Sequence, residues 1–339
     1  MRIFPTLRLA RFLQQTDPMK TYIYYPGMEV RDELWLKFAL LYLERLAFVF
    51  TVSEKSGLTA LLDTLQQQTD LLAERPDAAF FAAITPQLES QISGLVAPDF
   101  VRHKVFGNKE LIGRWRQGAN HDCFCPDQAG LERLHDFCLA HGFASRDQGG
   151  IRMARRFANL LSMRLAREWA LANDGALITD HDYLDRLLHL LESRYHNRGG
   201  QDCFHLEIPL QVPTHLGEIS FAELIALRGR SGFRQQLAEF HLALDNLLTM
   251  LGSGYADPAA LTRFEQAQQG LNQLLGPETL SMPLTTLVST CLPAVAMLHQ
   301  LKASHPESNL IFHPIKKSHF HQRKSQHFFT RLGHLRQPG

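Results

Sequence analysis

The sequence has almost no excess of charge of either sign. Its 339 residues include 35 Lys and Arg against 34 Asp and Glu, which leaves a formal net charge of +1 at pH 7. Bulk electrostatics therefore favours no nucleic acid, membrane surface or acidic partner over any other. The content of 45% hydrophobic and 20% charged residues is that of a soluble globular protein and excludes a disordered chain.

The common catalytic signatures are also missing. The sequence contains no Walker A loop, no Gly-x-Gly-x-x-Gly, no Gly-x-Ser-x-Gly elbow and no His-Glu-x-x-His. ATPases of the P-loop class, dinucleotide-dependent enzymes, α/β-hydrolases and zincins therefore have no support from motifs.

Cysteine is scarce and odd in number. There are 5 cysteines, and residues 1–18 lack the apolar core and cleavage site of a signal peptide, so a disulfide scaffold is not expected. The most apolar late segment, 282–301, is diluted by Thr, Ser and Pro, and we expect a buried helix or helical hairpin there, not a membrane span. These features predict a cytoplasmic protein.

Strand and helix patterns alternate in two places along the chain. A β-branched and aromatic run at Tyr22–Tyr25 breaks at Pro26-Gly27 and is followed by an apolar helix over 32–44. A second apolar strand is predicted at 176–179, between two helical segments. The sequence therefore predicts an α/β fold dominated by helices, with a small, mostly parallel sheet wrapped by many helices.

This fold requires two distant segments, near Tyr24 and near Ile178, to become neighbouring strands of one sheet. From Ser220 onward the pattern predicts helices as far as the tail, beginning with a capping box at Ser220 and Glu223. We divide the sequence into an extension at 1–18, an α/β core at 19–215 with a helical insertion at about 56–145, a helical region at 216–305 and a basic, His-rich tail at 306–339.

Carboxylates follow both predicted parallel strands. Asp180 and Asp182 come directly after the second strand, and Glu29, Asp32 and Glu33 follow the first. Ligands of parallel sheets bind at the carboxyl ends of strands, where such acids could hold Mg²⁺ or Mn²⁺ and position a water for phosphodiester attack. Asp180, Asp182, Asp32 and Glu29 are thus candidate catalytic residues. The alternative is a structural role, because the same side chains suit helix caps and first turns.

A cluster of thiols and imidazoles lies in the middle of the chain. It comprises His121, Cys123, Cys125, His135, Cys138 and His141. Thiolate and imidazole are good ligands of Zn²⁺, so the first five are candidate metal ligands, although Cys-x-Cys replaces the usual Cys-x₂-Cys. The alternative is a set of buried cysteines and surface histidines.

Arginines gather on one side of a long helix predicted over 151–173. Apolar residues form a stripe at helical spacing, and the opposite half has Arg152, Arg155, Arg156, Arg164 and Arg167. Guanidinium groups match phosphate geometry, so these are candidate nucleic-acid contacts. The alternative is a solvated face that is paired with acids of neighbouring elements.

The tail over 313–339 contains many cations and no acid. Its basic side chains include Lys316, Lys317, Arg323 and Lys324, interleaved with histidines and with Phe320, Phe328 and Phe329. Such a segment can hold a nucleic-acid backbone and stack bases, or it can be a partly disordered end.

Three segments of the chain point to a family. They are YYPGMEVRDELWLKFALLYLERL at 24–46, LLSMRLAREWALANDGALITDHDYLDRLL at 160–188, and IPLQVP with ISFAELIALRGRSGFRQQLAEFHLAL at 208–244. Together they resemble an uncharacterised bacterial family, domain of unknown function 6236, although Leu227–Arg230 departs from its usual Phe-Arg-x-Lys. The resemblance covers about half of the chain and implies a soluble bacterial protein of accessory regions, where anti-phage defence genes are common.

We therefore expect a bacterial protein that recognises a protein or nucleic-acid partner as a component of an accessory or anti-phage defence system. The alternative is a metal-dependent nuclease, because helix, short strand, Thr-Asp and helix around Asp180 resemble the second half of a PIN-type nuclease. Mg²⁺ or Mn²⁺ would serve the nuclease, and Zn²⁺ would serve the cysteine cluster.

Overall fold

We describe the protein from a computed structural model. The structure describes residues 19–25, 33–50, 59–103, 106–179, 202–253, 257–290, 310–314 and 327–330. The strands are β1 (Thr21–Tyr24), β2 (Arg45–Phe48), β3 (Arg102–His103), β4 (Gly107–Asn108), β5 (Cys123–Pro126), β6 (Ala144–Asp147), β7 (Gly150–Met153), β8 (Ala176–Thr179), β9 (Asp202–Pro213), β10 (Thr279–Thr290), β11 (Ile311–Pro314) and β12 (His327–Thr330).

Helices provide most of the regular structure in these residues. They are α1 (Glu33–Tyr42), α2 (Thr59–Gln68), α3 (Ala78–Val96), α4 (Lys109–Trp115), α5 (Glu132–Ala140), α6 (Arg155–Ala172), α7 (Phe221–Gly229), α8 (Ser231–Ser253) and α9 (Pro258–Gln273). The predicted helix-dominated α/β class is confirmed. None of the described helices is long and apolar enough to cross a membrane.

The main sheet has seven strands in the order β11-β9-β10-β12-β8-β1-β2. Strands β12, β8, β1 and β2 run parallel to one another, which is the small parallel sheet that the sequence predicts. Tyr24 pairs with Ile178, so the two distant segments are indeed neighbouring strands. Beyond β12 the sheet continues through antiparallel partners, β10, β9 and β11.

The parallel strands are buried on both faces, and their side chains alternate between two cores. Tyr22, Tyr24 and Ile178 face a core formed with α1, α7, α8 and α9. Ile23 and Leu177 face a second core formed with α3, α5 and α6. This period of two explains why these strands read as continuous apolar runs.

A second, smaller sheet lies in the segment between β2 and β8. Its order is β5-β7-β6, all antiparallel, with α5 connecting β5 to β6. The β6–β7 connection is the two-residue turn Gln148-Gly149, where the φ of +75° at Gly149 favours a residue without a Cβ. This unit replaces part of the predicted helical insertion.

Two helix predictions are wrong. Over 282–290 the chain is part of the long strand β10, and residues 291–301 lie outside the described part. Residues 151–153, predicted as the start of the arginine helix, belong to β7, because Ile151 and Met153 alternate with Arg152 and pair with strands on both sides. In both places pairing with neighbouring strands, and not the apolar content that suggested a helix, decides the structure.

The capping box before α7 is confirmed. The Glu223 amide donates to Ser220 Oγ at 3.3 Å, and the Ser220 amide donates to a Glu223 carboxylate oxygen at 2.9 Å. These two bonds satisfy amides that the first turn of a helix leaves free. The sequence Thr179-Asp-His-Asp182 fits the same capping template, and its last three residues lie outside the described part.

Candidate functional site

The carboxyl ends of β1 and β8 form a topological switch point. From β1 the chain passes to β2 on one side, and much later it returns to β8 on the other side. The pairing reaches the end of both strands, where the Tyr25 amide donates to the Ile178 carbonyl at 3.2 Å. Ligands of open α/β sheets bind at such a point, outside the carboxyl ends of the strands.

The predicted catalytic acids come from the two segments that leave the sheet here. Asp180, Asp182, Glu29 and Asp32 lie outside the described residues. Asp180 follows Thr179 directly, and consecutive Cα atoms are about 3.8 Å apart, so the chain connectivity alone ties it to this edge. Glu33 lies in the first turn of α1, as the structural alternative predicts.

The unit of α5 and the small β5-β7-β6 sheet borders this edge of the main sheet. Gln128, in the loop before α5, donates from Nε2 to the Val49 carbonyl just after β2, at 3.4 Å. The same loop packs against the start of α3, where a Cβ at Gly130 would lie 2.4 Å from the Ala78 carbonyl oxygen. A side chain larger than Gly would push the loop away from α3, so Gly130 fixes the loop beside the carboxyl end of β2.

The predicted zinc site is wrong for the described residues, which include all five proposed ligands. No group of three or more His, Cys, Asp or Glu side chains among them is arranged to hold a metal ion. His121 is bound through both ring nitrogens, Nδ1 to Ser145 Oγ at 2.7 Å and Nε2 to the Trp115 carbonyl at 2.9 Å. His135 is buried, contacts Asp127 at 3.3 Å, and has a lowered pKa because burial disfavours its charged form.

The three cysteines of the cluster are free thiols that belong to the packing of the second core. Cys125 and Cys138 are buried in it, and Cys123 is half-buried against it. Burial raises the pKa of Cys138 to about 12, and contact with the Cys123 thiol together with burial raises the pKa of Cys125. Thiols held in the protonated form are poor metal ligands and poor nucleophiles, as the structural alternative predicts.

The predicted arginine face is not one surface. Arg164 and Arg167 are buried, with relative exposures of 1% and 7%, and both contact Glu168. The prediction that they contact nucleic acid from an exposed helix face is therefore wrong. The cause is that α6 is surrounded by the second core and the sheet, so residues on every side of its middle turns are buried.

The remaining arginines of this set lie nearer the surface and have acidic or aromatic neighbours. Arg152 pairs with Asp147 at 2.6 Å, and Arg155 pairs with Asp122 at 3.1 Å. The Arg156 guanidinium lies 6.0 Å from the centre of the Trp115 ring. Pairing with acids of neighbouring elements is the alternative that the sequence left open, and it reduces the positive charge offered to a phosphate.

The basic tail contributes a strand to the sheet. Residues 327–330 form β12, which lies between β8 and β10 and pairs with both. The predicted contact of the tail with nucleic acid stays a prediction, because strand pairing at 327–330 does not test it. Lys316, Lys317, Arg323 and Lys324 lie outside the described residues.

A network of buried polar side chains at the amino edge of the parallel strands was not predicted. His241 of α8 is fully enclosed between Tyr22 and Tyr42. Its Nε2–H donates to the Tyr42 carbonyl at 2.8 Å, so Nδ1 is free to accept from the Tyr22 hydroxyl at 3.0 Å. Burial and, to a smaller extent, Lys20 lower the pKa of His241 to about 3.

Arg228 of α7 lies at the same edge and binds the carbonyls at the end of α1. Its guanidinium donates to the carbonyls of Leu40, Leu43 and Glu44 at 3.0, 2.8 and 2.5 Å, and to Asp70 at 2.7 Å. Helix α1 has no basic residue in its own last turn, so an arginine from another helix satisfies its terminal carbonyls. Arg228 lies within the third segment of the family resemblance, which was the one sequence signal that could have marked it.

Lysine side chains join the network to the rest of the first core. Lys20 pairs with Asp245 through its side chain, and its amide donates to Glu44 at 2.6 Å. Burial raises the pKa of Glu44. Lys37 of α1 donates to the Gly217 carbonyl at 2.7 Å. These contacts lie within the fold, so we interpret the amino edge as a structural element.

The chain was also compared with known proteins. Neither protein-family models, nor curated proteins, nor solved structures gave a match. The resemblance to domain of unknown function 6236 therefore stays a prediction that depends on the three segments named above.

Proposed function

We propose that the protein is a divalent-metal-dependent nuclease of PIN-like type, with its site at the carboxyl edge of β1 and β8. The observation that supports this is the parallel pairing of Tyr24 with Ile178 at a topological switch point. The candidate acids follow these two neighbouring strands in the sequence.

The donor set favours oxygen-binding metals. Asp180 and Asp182 follow β8, and Glu29 and Asp32 follow β1. Carboxylate oxygens are the ligands that Mg²⁺ and Mn²⁺ prefer, and such ions lower the pKa of a bound water and neutralise charge on a phosphate. In this proposal Asp180 and one acid after β1 hold the ion, and Asp182 orients the water.

Cleavage assays test the proposal directly. Single- and double-stranded DNA and RNA are incubated with the protein in Mn²⁺ or Mg²⁺, and then in EDTA. We expect cleavage of at least one substrate that EDTA abolishes, and a loss of at least about a hundredfold in Asp180→Asn, as is typical when a group that positions charge in an active site is removed. The thermal midpoint of this variant should remain within a few degrees of wild type.

Asp174→Asn is the matched control, because Asp174 precedes β8 at the opposite edge of the sheet. Its φ of +51° is one that Asn tolerates. This variant should keep full cleavage. No metal-dependent cleavage of any of the four substrates contradicts the proposal, and a large loss of stability in Asp180→Asn supports helix capping instead.

The resemblance alone supports a second role, as a partner-binding component of an accessory or anti-phage defence system. Purification of the tagged chain from its native host tests it. A stoichiometric protein or nucleic-acid partner, combined with the absence of metal-dependent cleavage, would favour this role over the nuclease.

A further inference from the structure

Strand β12 joins the two halves of the main sheet. On one side it pairs in parallel with β8, and on the other it pairs antiparallel with β10. Among the described residues β8 and β10 do not pair with each other, since the other neighbour of β8 is β1 and that of β10 is β9. Without β12 the sheet would therefore contain a slot one strand wide.

Both walls of this slot are held by contacts that do not involve β12. Strand β8 pairs with β1, and its residues Ala176, Leu177 and Ile178 are buried in the two cores. Strand β10 pairs with β9 along all 12 residues. In contrast, β12 has 4 residues and pairs through three positions on each side. The pairing of β10 with β9 is therefore much longer than the pairing of β12 with either wall.

Only a strand with the correct direction and register can occupy the slot. An incoming strand has to run parallel to β8 and antiparallel to β10 at the same time. It also has to place its residues opposite Leu177–Thr179 and Leu284–Thr286. A one-residue shift would turn every side chain to the opposite face. The β12 segment of a second copy meets these requirements by identity, because its pairing is the same one.

Twelve residues separate β12 from the preceding strand. Strand β11 ends at Pro314 and β12 begins at His327, with residues 315–326 between them. In the sheet order β12 lies three strands away from β11, which is about 14 Å at the usual spacing. A connection of this length can extend to about 40 Å, well beyond the distance between the two strands.

We propose that β12 exchanges between two copies of this chain, each copy filling the slot of the other. A long connection lowers the effective concentration of β12 at its own slot to the millimolar range, so exchange competes at high protein concentration. Such reciprocal exchange of an identical element closes a symmetric dimer without any new kind of contact.

Disulfide trapping between two singly substituted, full-length chains tests the exchange. Leu284 and Thr330 are opposite each other in the β10–β12 register, within the Cα separation that a disulfide spans. Chains with Leu284→Cys are mixed with chains with Thr330→Cys, incubated and oxidised, and the cross-linked peptides are identified by mass. We expect a 284–330 cross-link between chains, rising at least about tenfold as the concentration is raised from roughly 10 µM to 1 mM.

Two controls make the result decisive. Leu284→Cys mixed with Ile311→Cys, an exposed position on β11, measures accidental cross-linking. The double variant Leu284→Cys/Thr330→Cys should close within one chain and then fail to exchange. Leu177→Cys with His327→Cys repeats the test on the other wall, should the first pair fold poorly.

A mixed sample that cross-links no more than the Ile311→Cys control, while a double variant closes fully within its own chain, overturns the proposal. The proposal is also overturned if neither Leu284→Cys/Thr330→Cys nor Leu177→Cys/His327→Cys, each made in one chain, closes within a chain or between chains, because β12 would then not fill the slot.

Discussion

The buried imidazole of His241 makes stability depend on pH in a defined direction. In the native state the ring is neutral, because burial lowers its pKa to about 3 from a reference value of 6.5. An unfolded chain therefore binds a proton at His241 at a pH where the folded chain does not. Because the folded state lowers the pKa of this histidine, the free energy of unfolding falls as the pH falls from 6.5 towards 3.

The size of the effect follows from the two pKa values. Each pH unit between them is worth about 1.4 kcal/mol. Between pH 7.5 and 4.5 the loss from this one group is therefore roughly 2.5 kcal/mol, because the first unit of the interval lies above both pKa values. Glu44 acts in the opposite direction, since its raised pKa lets the folded chain take up a proton first.

A comparison of variants separates the two groups. Urea unfolding is measured from pH 7.5 to 4.5 for wild type and for His241→Gln, which removes the titrating ring and leaves Glu44 in place. We expect the difference in unfolding free energy between the two proteins to shrink by about 2.5 kcal/mol across this range, as wild type loses its advantage. Tyr22→Phe is the matched control. It deletes the hydroxyl that bonds to Nδ1 at 3.0 Å and should keep the pH dependence of wild type. Parallel curves for wild type and His241→Gln would refute the reasoning.

Three further outcomes follow from the described contacts. Arg228→Met should cost about 3–5 kcal/mol in urea unfolding, because it leaves the end of α1 and Asp70 without their buried donor, whereas Arg263→Met at an exposed pair should change stability by less than about 0.5 kcal/mol. Ser220→Ala should cost about 1 kcal/mol through loss of the cap of α7; an unchanged midpoint would mean that α7 is held by packing alone. Cys138, with a pKa of about 12, should be alkylated at pH 8 roughly a thousandfold more slowly than free cysteine, as measured by mass mapping of the labelled protein. Labelling of Cys138 within minutes would contradict its burial.

The sequence predicts those elements whose signal is local or periodic. Strand β8 begins and ends at the predicted residues, and the pairing of β1 with β8 follows from their apolar, β-branched character in a chain of strand–helix alternation. The capping box at Ser220 is found because its two residues are only three positions apart. In each of these, local preference and tertiary environment favour the same structure.

The errors come from places where a distant partner decides the structure. Strand β10 was predicted as a helix from its apolar content, yet Met282 and Leu284 alternate along it and its Thr and Val residues favour strands. Pro283 is opposite Pro209 in β9, which fits the non-hydrogen-bonded positions of an antiparallel ladder, where neither amide is needed. The short strand β12 had no periodicity to detect, because four residues between β8 and β10 are fixed by the sheet around them.

The two edges of the parallel strands differ in what their polar groups are free to do. At the amino edge the pKa of His241 is lowered to about 3 and the pKa of Glu44 is raised, and shifted pKa values are a common sign of an active site. Yet both nitrogens of His241 are bonded within the fold, and the Arg228 guanidinium serves four acceptors there. A group that acts on a ligand needs a donor or acceptor left for that ligand, so these shifts measure burial in a structural network. At the carboxyl edge the strands end at a switch point, and the candidate acids that follow them in the sequence lie outside the described residues. A search for activity should therefore begin with Asp180, and a search for stability with His241 and Arg228.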